Sequence, residues 1–103
     1  MSSAACRGLI GVEATEPTVL VVPGPVTFAD VPLLCERLRV LYGAGVEEVV
    51  CDLAALTRAD LAAVEAVARL RLTARRAGGR LRMRNAGAGL GALLELAGLN
   101  LLD

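Results

Sequence analysis

Short β-branched runs alternate with segments of helical periodicity along this chain, and this alternation constrains its fold more than any other feature. The strands are predicted at residues 9–13, 18–22, 47–53 and 80–84, and the helices at residues 30–42, 60–76 and 87–97. Strands that alternate with helices imply βαβ crossovers, while the first two strands form an antiparallel hairpin. We therefore predict an α/β fold of order β-β-α-β-α-β-α. In it, a mixed, mostly parallel sheet of about four to five strands packs with three helices.

The length and composition of the chain fit one globular domain. It has 103 residues, of which 55% are hydrophobic and 21% charged. Phe28 and Tyr42 are the only aromatic residues, so the core must consist of Leu, Val and Ala. We expect a single domain over residues 1–103, in which residues 1–7 form a flexible N-terminus.

The residue types that are missing exclude several kinds of chemistry. The chain has no His, which excludes His-based triads and His metal ligands, and no nucleophile–base pair can be assembled from the rest. Its three cysteines lack a C-x-x-C pair, which is typical of buried thiols in a reducing compartment. No apolar run approaches the ~18 residues of a membrane helix, and no signal peptide is visible. We therefore expect a cytoplasmic protein without enzymatic activity, metal, cofactor or membrane insertion.

Arginine is concentrated in one part of the chain. Residues 58–84 contain eight Arg and two acidic residues, whereas the remaining residues contain three Arg and nine acidic residues. A nucleic-acid surface is one interpretation of this cluster, but no aromatic residue lies within it for base stacking. A solvated helix and strand face explains the cluster better. We expect no nucleic-acid partner, and keep nucleotide binding near the Arg-rich surface as an alternative.

A glycine-rich stretch, AGAGLG at residues 86–91, follows a predicted strand and opens a predicted helix, as a phosphate-binding loop would. Its spacing is GxGxG rather than GxGxxG, and no GK[ST] is present. We predict a helix start that tolerates glycine.

Two carboxylates, Asp52 and Asp60, flank the turn between the strand at 47–53 and the helix at 60–76. One interpretation is a cation site at the end of a strand. The other, which we favour, is that one carboxylate forms the turn and the other caps the helix.

The same turn resembles a known family. Residues 52–64, DLAALTRADLAAV, are similar without a gap to D-L-S-G-V-x-F-I-D-S-S-G-L, the signature of the STAS domain (sulfate transporter and anti-sigma factor antagonist) family. Residues 19–24 resemble that family's hydrophobic strand followed by Gly. Residues 78–83 resemble its G-G-x-L-x-L strand, and residues 93–99 its closing L-L-x-x-x-G-L. The resemblance extends over residues 8–102 and implies the STAS fold.

The resemblance implies a protein-interaction module. Anti-anti-sigma factors of this family bind an anti-sigma factor with a kinase-like ATP-binding fold. Phosphorylation of the first Ser of the D-S-S-G motif ends that interaction. Here Asp60 matches the motif, but Leu61 occupies the phosphoacceptor position, Ala62 the next Ser and Ala63 the Gly. We therefore predict binding without phosphorylation at the usual position.

The predicted docking surface combines the turn at 56–64, the first turns of the following helix and the loop at 27–30. Its predicted partner-binding residues are Thr27, Asp30, Thr57, Arg58, Asp60, Leu61, Ala62, Val64 and Glu65. The expected partner is an anti-sigma factor or a related serine-kinase-like ATPase, and the expected state is a monomer or weak homodimer. The alternative is a regulatory STAS subunit of an ABC-type transporter.

Overall fold

A computed structural model describes residues 18–99, and in this part of the chain each strand is followed by a helix. The elements are β1 (Thr18–Val21), a 3₁₀ turn (Phe28–Asp30), α1 (Val31–Gly43), β2 (Glu48–Asp52), α2 (Leu61–Ala77), β3 (Arg80–Arg84) and α3 (Ala88–Leu96). The strands form one parallel sheet in the order β1-β2-β3. The predicted α/β class is thereby confirmed.

The sheet has one face toward the helices and one face that is largely uncovered by described residues. Leu20, Cys51 and Leu81 point to the helix side and are buried in the core. On the opposite side, the exposed fraction is 37% for Val19 and 56% for Val21. Successive right-handed crossovers in one direction place α1 and α2 on the same face of the sheet, which explains this asymmetry.

Helices α1 and α2 contribute most of the helical part of the core. The buried side of α1 carries Val31, Leu34, Cys35 and Leu38, and the buried side of α2 carries Ala62, Ala63, Ala66, Val67, Leu70 and Ala74. Four of the buried residues on α2 are alanines, whose small side chains permit close packing. The large side chains between them are fully buried, and each buried Leu or Val stabilises the fold by about 1.5–3 kcal/mol.

Glycine ends α2 and allows close packing beyond it. Gly78 has a φ of +73°, and its N–H donates to the carbonyl of Arg75 over 3.1 Å. A Cβ atom on the next residue, Gly79, would lie 2.2 Å from the ring of Tyr42. The pair Gly78-Gly79 therefore both ends the helix and provides a flat site for the only tyrosine.

The predicted helices and the three strands from residue 18 onward are confirmed to within a residue or two at each end. The sheet has three strands in the described residues, fewer than the predicted four to five. The strand candidate at 9–13, its hairpin and the N-terminal residues 1–7 lie outside the described residues. No helix of residues 18–99 is long and apolar enough to cross a membrane.

Candidate functional site

The turn between β2 and α2 is anchored to the core at two points. Leu53 and Leu56 are buried, and the N–H of Leu56 donates to the carbonyl of Leu53 over 3.0 Å. The N–H of Leu53 also donates to the carbonyl of Arg84 over 2.9 Å, which joins the turn to β3. Thr57 and Arg58 lie beyond these anchors and are exposed. The turn therefore presents its polar residues on a fixed backbone.

Asp60 is the N-cap of α2. Its backbone is extended, with φ −123° and ψ 177°, and its Oδ1 accepts from the N–H of Ala63 over 3.0 Å. This bond satisfies one of the four N–H groups that have no partner at a helix start. The predicted capping role is confirmed.

Asp52, at the end of β2, forms the turn. Its Oδ1 accepts from the N–H of Ala54 over 3.0 Å and from the side-chain amide of Asn85 over 3.1 Å. These hydrogen bonds, the one from Ala54 first, and the nearby guanidinium of Arg84 hold the pKa of Asp52 below its usual value. Among residues 18–99 no group of three or more His, Cys, Asp and Glu residues could hold a metal ion. The carboxylate is therefore engaged by donors of the protein itself.

The 27–30 loop is a 3₁₀ turn closed by its own side chains. The N–H and hydroxyl of Thr27 both donate to Oδ2 of Asp30, over 2.9 and 3.0 Å, and the N–H of Asp30 donates back to the carbonyl of Thr27. Between them Phe28 is 59% exposed. The turn thus holds a large aromatic side chain in solvent.

Gly24 places the segment after β1 directly against the β2–α2 turn. A Cβ atom at this position would lie 1.8 Å from the carbonyl oxygen of Ala55, so only glycine fits. Gly24 and Ala55 lie a few residues before the two segments of the predicted docking surface, and the 3₁₀ turn also packs against α2. The two segments are therefore distant in sequence and adjacent in space.

The exposed apolar residues of this region lie at the start of α2 and on the 3₁₀ turn. Leu61, the first residue of α2, is 72% exposed. Glu65 lies one helical turn further along, and it lines the groove between α1 and α2 together with Phe28. Leu61 and Phe28 therefore belong to one continuous surface that crosses from the 3₁₀ turn to α2.

The predicted site residues differ in exposure. Thr27, Thr57, Arg58 and Leu61 are exposed, whereas Asp30, Asp60, Val64 and Glu65 are partly buried. Ala62 is 8% exposed and lies in the core, beneath the surface rather than on it. Its side chain therefore contributes little area to the predicted docking surface.

Phe28 was not among the predicted site residues. The sequence did offer a reason to include it, because Phe28 is one of only two aromatic residues and directly follows Thr27, a predicted site residue. Large exposed aromatic side chains are a common component of protein interfaces.

Comparison with protein families matches residues 11–102 to a family model described as "Mlab, STAS domain". The curated proteins and the solved structures contain no significant match to the chain.

Proposed function

Because the chain belongs to the STAS domain family, we propose that this regulatory module acts without enzymatic activity by binding a protein partner. The proposed partner is a kinase-like anti-sigma factor, as for anti-anti-sigma factors that control transcription. The docking surface consists of the 3₁₀ turn, the β2–α2 turn and the first two turns of α2. The observation that supports this proposal best is Leu61, which is 72% exposed at the family's phosphoacceptor position.

The exposed apolar residues supply the binding energy. Complete burial of an exposed Leu or Phe side chain is worth about 1.5–3 kcal/mol, so Leu61 and Phe28 suffice as central anchors of an interface. Around them lie charged and hydroxyl groups, including Thr27, Arg58 and Glu65, which are suited to the polar rim of such a contact.

The absence of a hydroxyl group at residue 61 determines how the interaction is regulated. In the family, a phosphate at this position ends binding through repulsion and desolvation. Leu61 cannot accept a phosphate, so the interaction is constitutive or is regulated on the partner's side.

A constitutive surface also supports a second candidate, a regulatory STAS subunit of an ABC-type transporter. A permanent subunit needs a contact that no kinase switches off, and Leu61 meets this requirement. Both candidate partners are ATPases, so the experiment must separate them.

The test is a binding titration of the purified chain with a kinase-like anti-sigma factor and with an ABC-type ATPase, both from the same organism. The variants are Leu61→Glu and the matched control Leu96→Glu. Leu96 is 84% exposed near the end of α3, away from the proposed surface. We expect Leu61→Glu to weaken binding at least about tenfold and Leu96→Glu to leave it unchanged. Equal binding by wild type and Leu61→Glu would disprove the surface, and failure of both ATPases to bind would disprove the function.

The variant Leu61→Ser distinguishes the two partners. It restores the hydroxyl group of the family motif at an exposed position. In the presence of ATP, a kinase-like anti-sigma factor should phosphorylate Leu61→Ser but not the wild type at this position, as intact-protein mass spectrometry would detect. A transporter ATPase should phosphorylate neither.

A further inference from the structure

The outer edge of β3 carries backbone groups with which no strand of residues 18–99 pairs. β3 is the last strand of the described sheet, which has the order β1-β2-β3. The N–H of Arg80 and the carbonyl of Arg84 form hydrogen bonds with backbone groups at the two ends of β2. Backbone groups of successive residues in a strand point to opposite sides, so those of Leu81 and Met83 point to the outer edge. Two N–H groups and two carbonyl groups are therefore available there to another strand.

The side chains of β3 give this edge a positive charge on one face of the sheet. Arg80, Arg82 and Arg84 are exposed and lie on the face that the helices leave uncovered; we call them the arginine row. They alternate with Leu81 and Met83, which pack toward the helices and the core. The edge therefore has a charged face and an apolar face.

The charge of the arginine row is incompletely neutralised within the described part of the chain. Arg84 lies 3.5 Å from the carboxylate of Asp52. Arg82 lies 3.8 Å from that of Glu48, a long contact between exposed groups that contributes little. Arg80 forms no ion pair with another residue in the 18–99 range. A carboxylate from outside the described chain can therefore gain from this row.

The arginine row also determines which kind of strand can pair with the edge. Like charges directly opposite one another destabilise two paired strands, whereas opposite charges stabilise them. A second copy of β3 on this edge would bring one arginine row against the other, so the row acts against self-association. A strand with carboxylates at alternate positions is instead complementary to it.

We propose that the outer edge of β3 binds an extended acidic segment of a partner protein, which adds to the sheet as a further strand. Strand addition of this kind takes its affinity from main-chain hydrogen bonds and its specificity from alternate side chains. The carboxylates of the segment lie beside the arginine row. Its intervening apolar side chains lie on the helix side, where a cleft of about 480 Å³ opens between α2 and β3 beside Leu81 and Ala74. None of these residues belongs to the predicted docking surface, so this is a second contact.

The probe is the fluorescent peptide EVEVEVE, which is titrated against the whole chain and followed by fluorescence anisotropy. The control peptide EEEEVVV has the same composition and charge without the alternation, and it should bind at least about fivefold more weakly. Methylation of the peptide nitrogens of either the Val or the Glu residues removes the N–H groups on one side of the strand. Only one of these two sets faces β3, so only one methylated peptide should lose binding.

Hydrogen exchange of the protein's amides, measured by nuclear magnetic resonance, locates the added strand. The amides of Leu81 and Met83 should exchange rapidly in the free chain and slowly with EVEVEVE bound. The amide of Arg82 alternates with them and points to β2, so its exchange should change much less.

The arginine row has a matched control elsewhere on the surface. Arg37 and Arg76 are exposed, and neither lies on β3 or lines the cleft beside it. Arg80→Gln/Arg82→Gln should weaken binding of EVEVEVE about fivefold, and Arg37→Gln/Arg76→Gln should change it by less than about twofold. Both double variants remove the same net charge, and circular dichroism verifies that both are folded.

Four results would overturn the proposal. The first is absence of binding by EVEVEVE, and the second is equal binding by EEEEVVV. The third is an equal loss in the two double variants, which would mean unspecific charge attraction. The fourth is slow exchange of the Leu81 and Met83 amides in the free chain, which would mean that another segment of this chain or a second copy already occupies the edge.

Discussion

The side-chain amide of Asn85 donates to the carboxylate of Asp52 over 3.1 Å and joins the ends of two neighbouring parallel strands. Asp52 is the last residue of β2, and Asn85 directly follows β3. Asn85 has a positive φ of 64°, a conformation that Asn adopts more readily than most residues. The bond therefore fixes the start of the turn that leads to Leu61.

The carboxylate of Asp52 makes the stability of the protein depend on pH. The pKa of Asp52 is lowered, first by the N–H of Ala54 and then by Asn85 and Arg84. A carboxyl group whose pKa is lower in the folded state stabilises the fold fully when the pH is above its pKa in the unfolded state, about 3.9. This stabilisation is lost as the pH falls through the pKa of the folded state. We expect Asp52→Asn to be less stable than wild type at neutral pH, with a difference that shrinks below about pH 4.

Urea unfolding of wild type and Asp52→Asn at a series of pH values measures this difference. Asn85→Gly is the companion variant, because it removes the amide donor while glycine accepts the positive φ. At neutral pH, Asn85→Gly should lose part of the free energy of unfolding that Asp52→Asn loses. If the difference in the free energy of unfolding between wild type and Asp52→Asn stayed constant down to the lowest pH, the pKa of Asp52 would not be lowered in the folded protein.

Gly24 should not tolerate a side chain. A Cβ atom there would lie 1.8 Å from the carbonyl oxygen and 2.7 Å from the carbonyl carbon of Ala55, and backbone atoms cannot move aside cheaply. We expect Gly24→Ala to lower the free energy of unfolding by about 3 kcal/mol, measured by urea unfolding.

Gly43 is the control for this substitution. It is the last residue of α1, and a Cβ atom there would meet nothing within 4 Å. Gly43→Ala should raise the free energy of unfolding by about 0.5–1 kcal/mol, because alanine favours a helix and restricts the unfolded chain. If Gly24→Ala proved as stable as Gly43→Ala, the close approach to Ala55 would not exist in solution.

Local patterns were sufficient to predict most of the described elements. Strict alternation predicted β3 at residues 80–84, and helical spacing predicted the helix that the structure places at Leu61–Ala77. The one-residue offset at its start arises because Asp60 caps the helix and is not part of it. Such features depend on neighbouring residues alone and are visible in the sequence.

Features that depend on distant residues were not predicted. The bond between Asp52 and Asn85 requires the register that pairs β2 with β3, which no local pattern specifies. Ala62 was expected on the docking surface, but the buried stripe of α2 is wide enough to include it beside Ala63 and Ala66. An alanine gives no indication of which side of such a stripe is exposed.

The cap of α2 should contribute measurably to stability. The carboxylate of Asp60 accepts from the N–H of Ala63, so Asp60→Ala leaves that donor without its partner. We expect a loss of about 1 kcal/mol in the free energy of unfolding, and Asp60→Ser, which keeps an acceptor, should lose only a few tenths. Hydrogen exchange should accelerate at the first turn of α2 in Asp60→Ala. Equal stability of the two variants would argue against the cap.

Tyr42 reports on the contact between α1 and the start of β3. Its ring covers Gly79, and its hydroxyl donates to the carbonyl of Arg80. Partial burial, with smaller electrostatic contributions from Cys51 and Glu48, raises the pKa of Tyr42 to about 12. It is the only tyrosine in a chain without tryptophan, so its ionisation can be followed by ultraviolet absorbance without overlap.

We expect the absorbance of the folded protein to change with a midpoint at about pH 12, and that of the urea-unfolded chain at about pH 10. The pKa of Tyr42 is higher in the folded state than in the unfolded state. The contribution of Tyr42 to stability is therefore complete below about pH 10 and is lost as the pH rises through the pKa of the folded state. Wild type should therefore lose more stability across this range than Tyr42→Phe, which cannot ionise at this position. A folded-state midpoint near that of the unfolded chain would show that Tyr42 is not partly buried as it is in this structure.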